Sequence, residues 1–120
     1  MIKVKELAKW IERGIKELGD GEAFCFNLYE DTDEWTCELL NTNSFDKNDS
    51  DWVCDEKNIY SRNNPLSICK KKEVKDFQTV LDSFKKLLNE SLLFSNEFKK
   101  LANAKTIAYG FVDGDLRYLN

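Results

Sequence analysis

Carboxylates are the residues of this chain whose number and spacing could do chemistry. Residues 30–56 read EDTDEWTCELLNTNSFDKNDSDWVCDE, with ten acids and one base, Lys47, for a net charge of −9. The rest of the chain carries +5, so the total of −4 conceals a strongly polarised molecule. Paired acids can act as general acid and base or hold Mg²⁺. Clustered acids interleaved with aromatic residues also suit a surface that meets a basic partner.

The composition excludes several other kinds of chemistry. The chain has no histidine, so it contains no Ser-His-Asp triad, no Cys-His pair and no imidazole general base. Its five glycines form no phosphate-binding pattern. The segment DKNDSD, residues 46–51, resembles the start of a calcium-binding loop but lacks the glycine and the terminal glutamate of an EF-hand. We therefore expect a protein that is not an enzyme and that has no cofactor, catalytic residue or metal site.

The cysteines and the N-terminus indicate the compartment. The four cysteines include no CxxC pair, which a zinc site usually needs, and we interpret Cys25 and Cys37 as small apolar residues inside strands. The first 19 residues alternate charged with apolar side chains and lack the continuous apolar segment of a signal peptide. No apolar run approaches the roughly 20 residues that cross a bilayer. We expect a cytoplasmic protein with reduced thiols and no membrane partner.

Hydrophobic periodicity predicts the elements that position the acids. Apolar residues at three- and four-residue spacing predict a helix over 3–18. Alternating apolar residues predict strands over 22–30 and 35–40, which the polar turn EDTDE joins as an antiparallel hairpin. Residues 41–50 are rich in Asn, Asp and Ser and are predicted to be irregular, with a short third strand following over 51–56.

Trp52, in that third strand, has two interpretations. It either fills the core while the neighbouring aspartates face water, or it is an exposed anchor for a partner. We expect the core position, because an apolar ring of that size is usually mostly buried.

The second half of the chain contributes helices and a final hairpin. Residues 58–72 are predicted to be a connection in which LSIC can form a short edge strand, and a helix over 73–89 follows. Ser95 is a good cap for a third short helix. The Asp-Gly pair within VDGD, residues 112–115, predicts a two-residue hairpin turn that places Tyr109 opposite Tyr118.

These elements predict one α+β domain over residues 1–120. Strands joined by hairpins, with helices grouped before and between them, indicate an antiparallel sheet of about four to five strands. Two to three helices are expected to pack mainly on one face of that sheet.

Four motifs give the chain a resemblance to a known family. They are an FN-x-Y strand, a W-x-x-E-L strand, an acidic block F-D-x-x-D-x-D-W-x-C-D-E and a terminal GFVDGDL hairpin. In this sequence they occupy Phe26 to Tyr29, Trp35 to Leu39, Phe45 to Glu56 and Gly110 to Leu116. With these motifs the chain resembles small bacterial immunity proteins of polymorphic toxin systems, including contact-dependent growth inhibition. The resemblance implies a protein that binds and neutralises a cognate toxin domain, commonly a nuclease, in the cytoplasm.

The charge pattern predicts how such a protein would bind its partner. An acidic patch would mask a basic active-site or substrate-binding surface, with complementary charge speeding association and aromatic anchors contributing affinity. We predict that the partner-binding residues are Asp46, Asp49, Asp51, Asp55 and Glu56, a second patch of Asp31, Asp33 and Glu34, and the aromatic anchors Trp35 and Phe45.

Other interpretations of the same residues stay open. Each carboxylate can instead be an ordinary solvated loop residue, because rim charges often contribute little to affinity. The protein as a whole can instead be a small carboxylate-based or metal-dependent enzyme, or an interaction module that inhibits nothing. Direct nucleic-acid binding is not expected, because the most charged segment has the wrong sign.

Overall fold

The computed structural model describes residues 1–93, 101, 103, 104 and 106–119, and confirms the α+β class. Two α-helices and six strands are present within those residues. In chain order the elements are α1 (Val4–Leu18), β1 (Ala23–Glu30), β2 (Glu34–Thr42), a 3-10 helix (Ser50–Cys54), β3 (Glu56–Tyr60), β4 (Leu66–Lys70), α2 (Phe77–Leu92), β5 (Thr106–Phe111) and β6 (Arg117–Tyr118). No helix in the described part has both the length and the apolar composition needed to span a membrane.

The strands form one mixed sheet in the order β3-β2-β1-β5-β6. β1 and β2 make the predicted antiparallel hairpin, with Ala23 opposite Thr42 and Glu30 opposite Trp35. β5 lies parallel to β1, so the sheet is not entirely antiparallel. β3 and β4 share the outer edge of β2, β3 pairing with residues 39–42 and β4 with residues 34–37.

Both helices cover the same face of the sheet, as the sequence predicts. The main core contains every second residue of β1, namely Phe24, Phe26 and Leu28, packed against the apolar stripes of α1 and α2. Asn41 joins α1 to this layer, since its buried side-chain amide donates to the backbone carbonyls of Leu18, Gly19 and Asp20 at 3.2–3.3 Å. These bonds satisfy carbonyls that the end of a helix leaves unpaired.

The opposite face of the sheet has a covered half and an open half. A second apolar cluster of Ala23, Cys25, Leu40 and Ala108 lies under Trp52, so one half is covered by the loop between β2 and β3. Farther along the same strands, polar side chains such as Asn27 and Glu38 occupy this face, by the alternation of side chains along a strand. Both halves of this face are central to the candidate site.

Two of three predicted elements around the middle of the chain differ from the structure. Residues 51–56 do not form a strand; a 3-10 helix occupies 50–54, and the strand begins only at Glu56, partly inside the stretch predicted as a connection. The predicted LSIC strand is present as β4. The second helix begins at Phe77 rather than at residue 73, because the carboxylate of Asp76 accepts hydrogen bonds from the backbone amides of Gln78 and Thr79 and caps the helix there.

The final hairpin is present, but its predicted register is wrong by one residue. Tyr109 pairs with Arg117, and Tyr118 pairs with Ala108. The connection is longer than a two-residue turn and spans residues 112–116, so Tyr118 lies on the face opposite to the one predicted. The predicted third helix beginning at Ser95 falls largely outside the described residues.

Candidate functional site

Aspartates shape the loop between β2 and β3, which we call the acidic loop (residues 43–55). Asp46 accepts from the backbone amide of Asn48 at 2.9 Å, and Asp49 accepts from that of Asp51 at 3.0 Å, capping the 3-10 helix. Short side-chain oxygens that bond to nearby backbone amides favour turns over extended strands, which explains why this segment is not a strand. The loop is therefore a folded structure in which hydrogen bonds hold the carboxylates of Asp46 and Asp49.

The acidic loop surrounds a cavity of about 550 Å³. Four aspartates line it, together with Cys54 and the aromatic residues Phe45 and Trp52. The four are Asp46, Asp49, Asp51 and Asp55, and all are exposed. Within the described part of the chain none of them forms an ion pair, so their negative charge is not neutralised by the fold.

Trp52 attaches the acidic loop to the sheet. Its side chain is 4% exposed, which confirms the core position expected for it. The indole N–H donates to the Tyr118 hydroxyl at 3.3 Å, and the ring contacts Phe45 edge-on with centroids 5.4 Å apart. Phe45 also contacts Tyr118 and remains partly exposed, so it is the one predicted aromatic anchor that a partner can reach.

The second predicted acidic patch lies at the other end of β2. Nine residue steps of ~3.3 Å each separate Glu34 from Asn43, where the acidic loop begins, a distance of about 30 Å. This patch is partly neutralised, because Lys70 lies 3.8 Å from Glu34 and Lys71 lies 3.4 Å from Glu30. Asp31 and Asp33 remain exposed. The predicted acids therefore form two separate groups, and within the described residues the four aspartates of the acidic loop form no ion pair.

Two of the predicted binding residues are engaged within the fold, one by burial and one by an ion pair. Trp35 is 1% exposed, and its indole N–H donates to the carbonyl oxygen of Val74 at 2.8 Å, so its ring is packed in the main core and presents almost no surface to a partner. Glu56 is exposed but forms an ion pair of 3.5 Å with Arg62.

A feature that sequence reasoning missed is a buried carboxylate on the open half of the sheet. Glu38 is 2% exposed, although it faces the polar side of β2. The Tyr29 hydroxyl and the Asn27 amide donate to its Oε1 at 2.6 and 3.3 Å. The pKa of Tyr29 is raised, first by burial and then by its hydrogen bond to Glu38. Glu38 alternates with the core residues Cys37 and Leu39, so the sequence pattern places it on the other face of β2, and only an acidic side chain within a strand could have signalled its role.

The structure also limits what the site can do chemically. Among the described residues, no three cysteine or acidic side chains come close enough to hold a metal ion. All four cysteines are free, and only Cys54 is exposed. Burial raises the pKa of the Cys25 thiol to about 12 and that of Cys37 well above its usual value, so both act as apolar core residues.

The acidic loop is accordingly a negatively charged surface that is anchored to the sheet. Comparison of the chain with protein-family models, with curated proteins and with solved structures finds no match.

Proposed function

We propose that this protein is a bacterial immunity protein that binds a cognate toxin domain through the acidic loop and thereby neutralises it. We expect a toxin domain with a basic surface, such as the surface by which a nuclease holds nucleic acid. The two proteins would meet in the cytoplasm. The supporting observation is the geometry of the loop: four exposed, unpaired aspartates border one cavity, and a buried tryptophan fixes them to the sheet.

Unpaired carboxylates on an anchored loop favour fast, charge-driven association. The positions of Asp51 and Asp55 are already set by the 3-10 helix and its turn, so little ordering entropy is lost on binding. Phe45, next to the cavity, adds apolar contact area at the centre of a polar rim, which is the arrangement of many tight interfaces. A nuclease whose basic cleft is occupied in this way cannot bind its substrate.

The test is neutralisation of the product of the adjacent gene, where we expect the toxin domain to be encoded. Stoichiometric wild-type protein is expected to abolish toxin activity and to co-purify with the domain. The double substitution Asp51→Lys and Asp55→Lys is expected to weaken both the inhibition and the co-purification. These two residues are suitable because neither side chain forms a hydrogen bond or ion pair within the described structure. Full toxin activity in the presence of excess wild-type protein would contradict the proposal.

A matched control separates local charge from total charge. Glu17 and Asp20 are exposed acids that do not line the cavity of the acidic loop, so Glu17→Lys with Asp20→Lys changes the net charge equally. This control is expected to neutralise the toxin as the wild type does. Equal loss of inhibition in both double variants would indicate a dependence on net charge alone and would remove the acidic loop as the interface.

A further inference from the structure

The open half of the sheet contains a small polar cavity, which we call the Glu38 pocket. It has a volume of about 240 Å³ and is lined by Tyr29, Asp31, Thr36, Glu38, Arg62 and Pro65. It lies on the sheet face that the acidic loop partly covers. Side chains two residues apart in a strand share a face, so Tyr29 lies on the face of Cys25, and Glu38 lies on the face of Leu40.

The hydrogen bonds around the pocket leave acceptors and no free hydroxyl donors. The Tyr29 hydroxyl donates to Glu38 Oε1 at 2.6 Å, and the Thr36 hydroxyl donates to Asp31 Oδ2 at 2.9 Å. Both hydroxyl protons are therefore committed to carboxylates. Glu38 Oε2 accepts no hydrogen bond within the described structure, although the side chain is only 3% exposed. No fully buried side-chain oxygen of the described residues lacks a hydrogen-bond partner, so this oxygen is not sealed off and borders the pocket. A cationic N–H of a ligand that reaches it would form a charge-assisted hydrogen bond.

Arg62 is the only cation near that oxygen among the described residues, and it is a poor partner. Its Nε lies 3.7 Å from Glu38 Oε2, beyond hydrogen-bond distance, and its side chain is 56% exposed. Another guanidinium nitrogen is 3.5 Å from Glu56, so the side chain is divided between two acids. Arg62 therefore offsets the charge of Glu38 without satisfying its free oxygen, and it can move aside at little cost.

We propose that the Glu38 pocket binds the guanidinium of an arginine side chain presented by the protein partner. Glu38 Oε2 and the second carboxylate oxygen of Asp31 have no hydrogen-bond donor within the described residues. A guanidinium supplies several N–H donors together with a positive charge. The planar group forms stronger and better-oriented bonds to carboxylates than an ammonium does. The proposal rests on the proposed function for the identity of the partner as a basic protein, whereas the pocket can be tested without that partner.

The experiment titrates the isolated protein with N-acetylarginine amide and follows backbone amide shifts by NMR. N-acetylcitrulline amide is the matched ligand control, because it has nearly the same shape but no charge. Arginine is expected to shift the amides of Tyr29, Thr36 and Glu38 saturably, and citrulline is not. No saturable shift with arginine, or equal shifts with both ligands, would overturn the proposal.

Three variants locate the site. Glu38→Gln keeps an acceptor for Tyr29 but removes the charge, and it is expected to weaken arginine binding by roughly tenfold or more. Asp31→Asn is expected to weaken it severalfold, and since Asp31 is exposed this variant tests the pocket even if Glu38→Gln fails to fold. Asp51→Asn, in the acidic loop, is expected to leave binding unchanged. Equal weakening by Asp51→Asn and Asp31→Asn would show nonspecific charge attraction and would refute the pocket. Because no toxin is used, this outcome is independent of the neutralisation test.

Discussion

Replacing Trp52 with alanine is expected to detach the acidic loop from the sheet. Trp52 is the only buried residue in the acidic loop, and its ring lies over the small apolar cluster formed by Ala23, Cys25, Leu40 and Ala108. The substitution removes the ring, its edge-on contact with Phe45 and its hydrogen bond to the Tyr118 hydroxyl.

The size of the effect follows from the burial of the ring. Large aromatic-to-alanine substitutions in cores cost about 3–5 kcal/mol of unfolding free energy. Trp52 borders solvent on the loop side, so part of the gap can collapse, and we expect a loss of ~3 kcal/mol. Trp52→Phe keeps an aromatic ring in the cluster and is expected to cost about half as much or less.

Urea unfolding and amide hydrogen exchange together measure this effect. The amides of Asp49, Trp52 and Asp55 donate to loop carbonyls at 3.1–3.3 Å, so they report on whether the loop is folded. In Trp52→Ala they are expected to lose protection far more than the amides of β1 do. Trp10→Ala is the control, because Trp10 is equally buried but belongs to the main core beneath α1.

Two results would refute this reasoning. A loss below ~1 kcal/mol with unchanged exchange in the acidic loop would mean that Trp52 does not hold it. Selective loss of loop protection in Trp10→Ala as well would mean that the loop depends on the whole core and not on its own anchor.

Three further predictions test other parts of the structure. Iodoacetamide is expected to label only Cys54 in the native protein and all four cysteines in denaturant, and native labelling of a second thiol, read by mass spectrometry, would contradict the burial described. Asp76→Ala is expected to cost ~1 kcal/mol in urea unfolding while Asp76→Ser costs less, because a serine can still cap α2, and equal losses would show that the cap does not contribute. Stability is expected to fall as pH rises from 9 towards 12, since burial raises the pKa of Cys25 from 9.0 to about 12 and the unfolded chain then loses its proton first. The slope is ~1.4 kcal/mol per pH unit for that thiol, and Cys25→Ala is expected to reduce it; an unchanged slope would contradict the assignment.

The sequence predicts most of the elements here because their signals are local. The apolar stripe that predicts α1 and the alternation that predicts β1 and β2 can each be recognised within a short segment of sequence. All three elements are present with nearly the expected bounds. Trp52 was also placed correctly, since the size of its ring is enough to expect burial.

The errors occur where a side chain bonds locally or where contact is distant in sequence. Asp49 and Asp76 accept from backbone amides two residues onward, and these caps replace a predicted strand by a 3-10 helix and delay the start of α2. In the last hairpin, the Tyr118 hydroxyl accepts a hydrogen bond from Trp52, 66 residues away in sequence. The sequence preferences of hairpin turns contain no information on such a distant contact. A five-residue connection then moves every side chain of β6 to the other face.

The candidate site follows the same division. The aspartates of the acidic loop could be found from composition, because charge clustering is visible in sequence. The pocket around Glu38 could not, because it depends on strand pairing: the direct pairs Tyr29 with Thr36 and Asn27 with Glu38 place these side chains around one carboxylate.

The measurement that tests the central claim most directly is the rate of association, as a function of salt, with the toxin domain proposed as the partner. With Asp51→Lys and Asp55→Lys, the rate at low salt is expected to fall by roughly tenfold or more, because steering by complementary charge raises rates by 10–10³. The difference is expected to shrink near ~1 M salt, where the Debye length is ~3 Å. Association rates that match those of the wild type and of the Glu17→Lys and Asp20→Lys control at low salt would contradict the account.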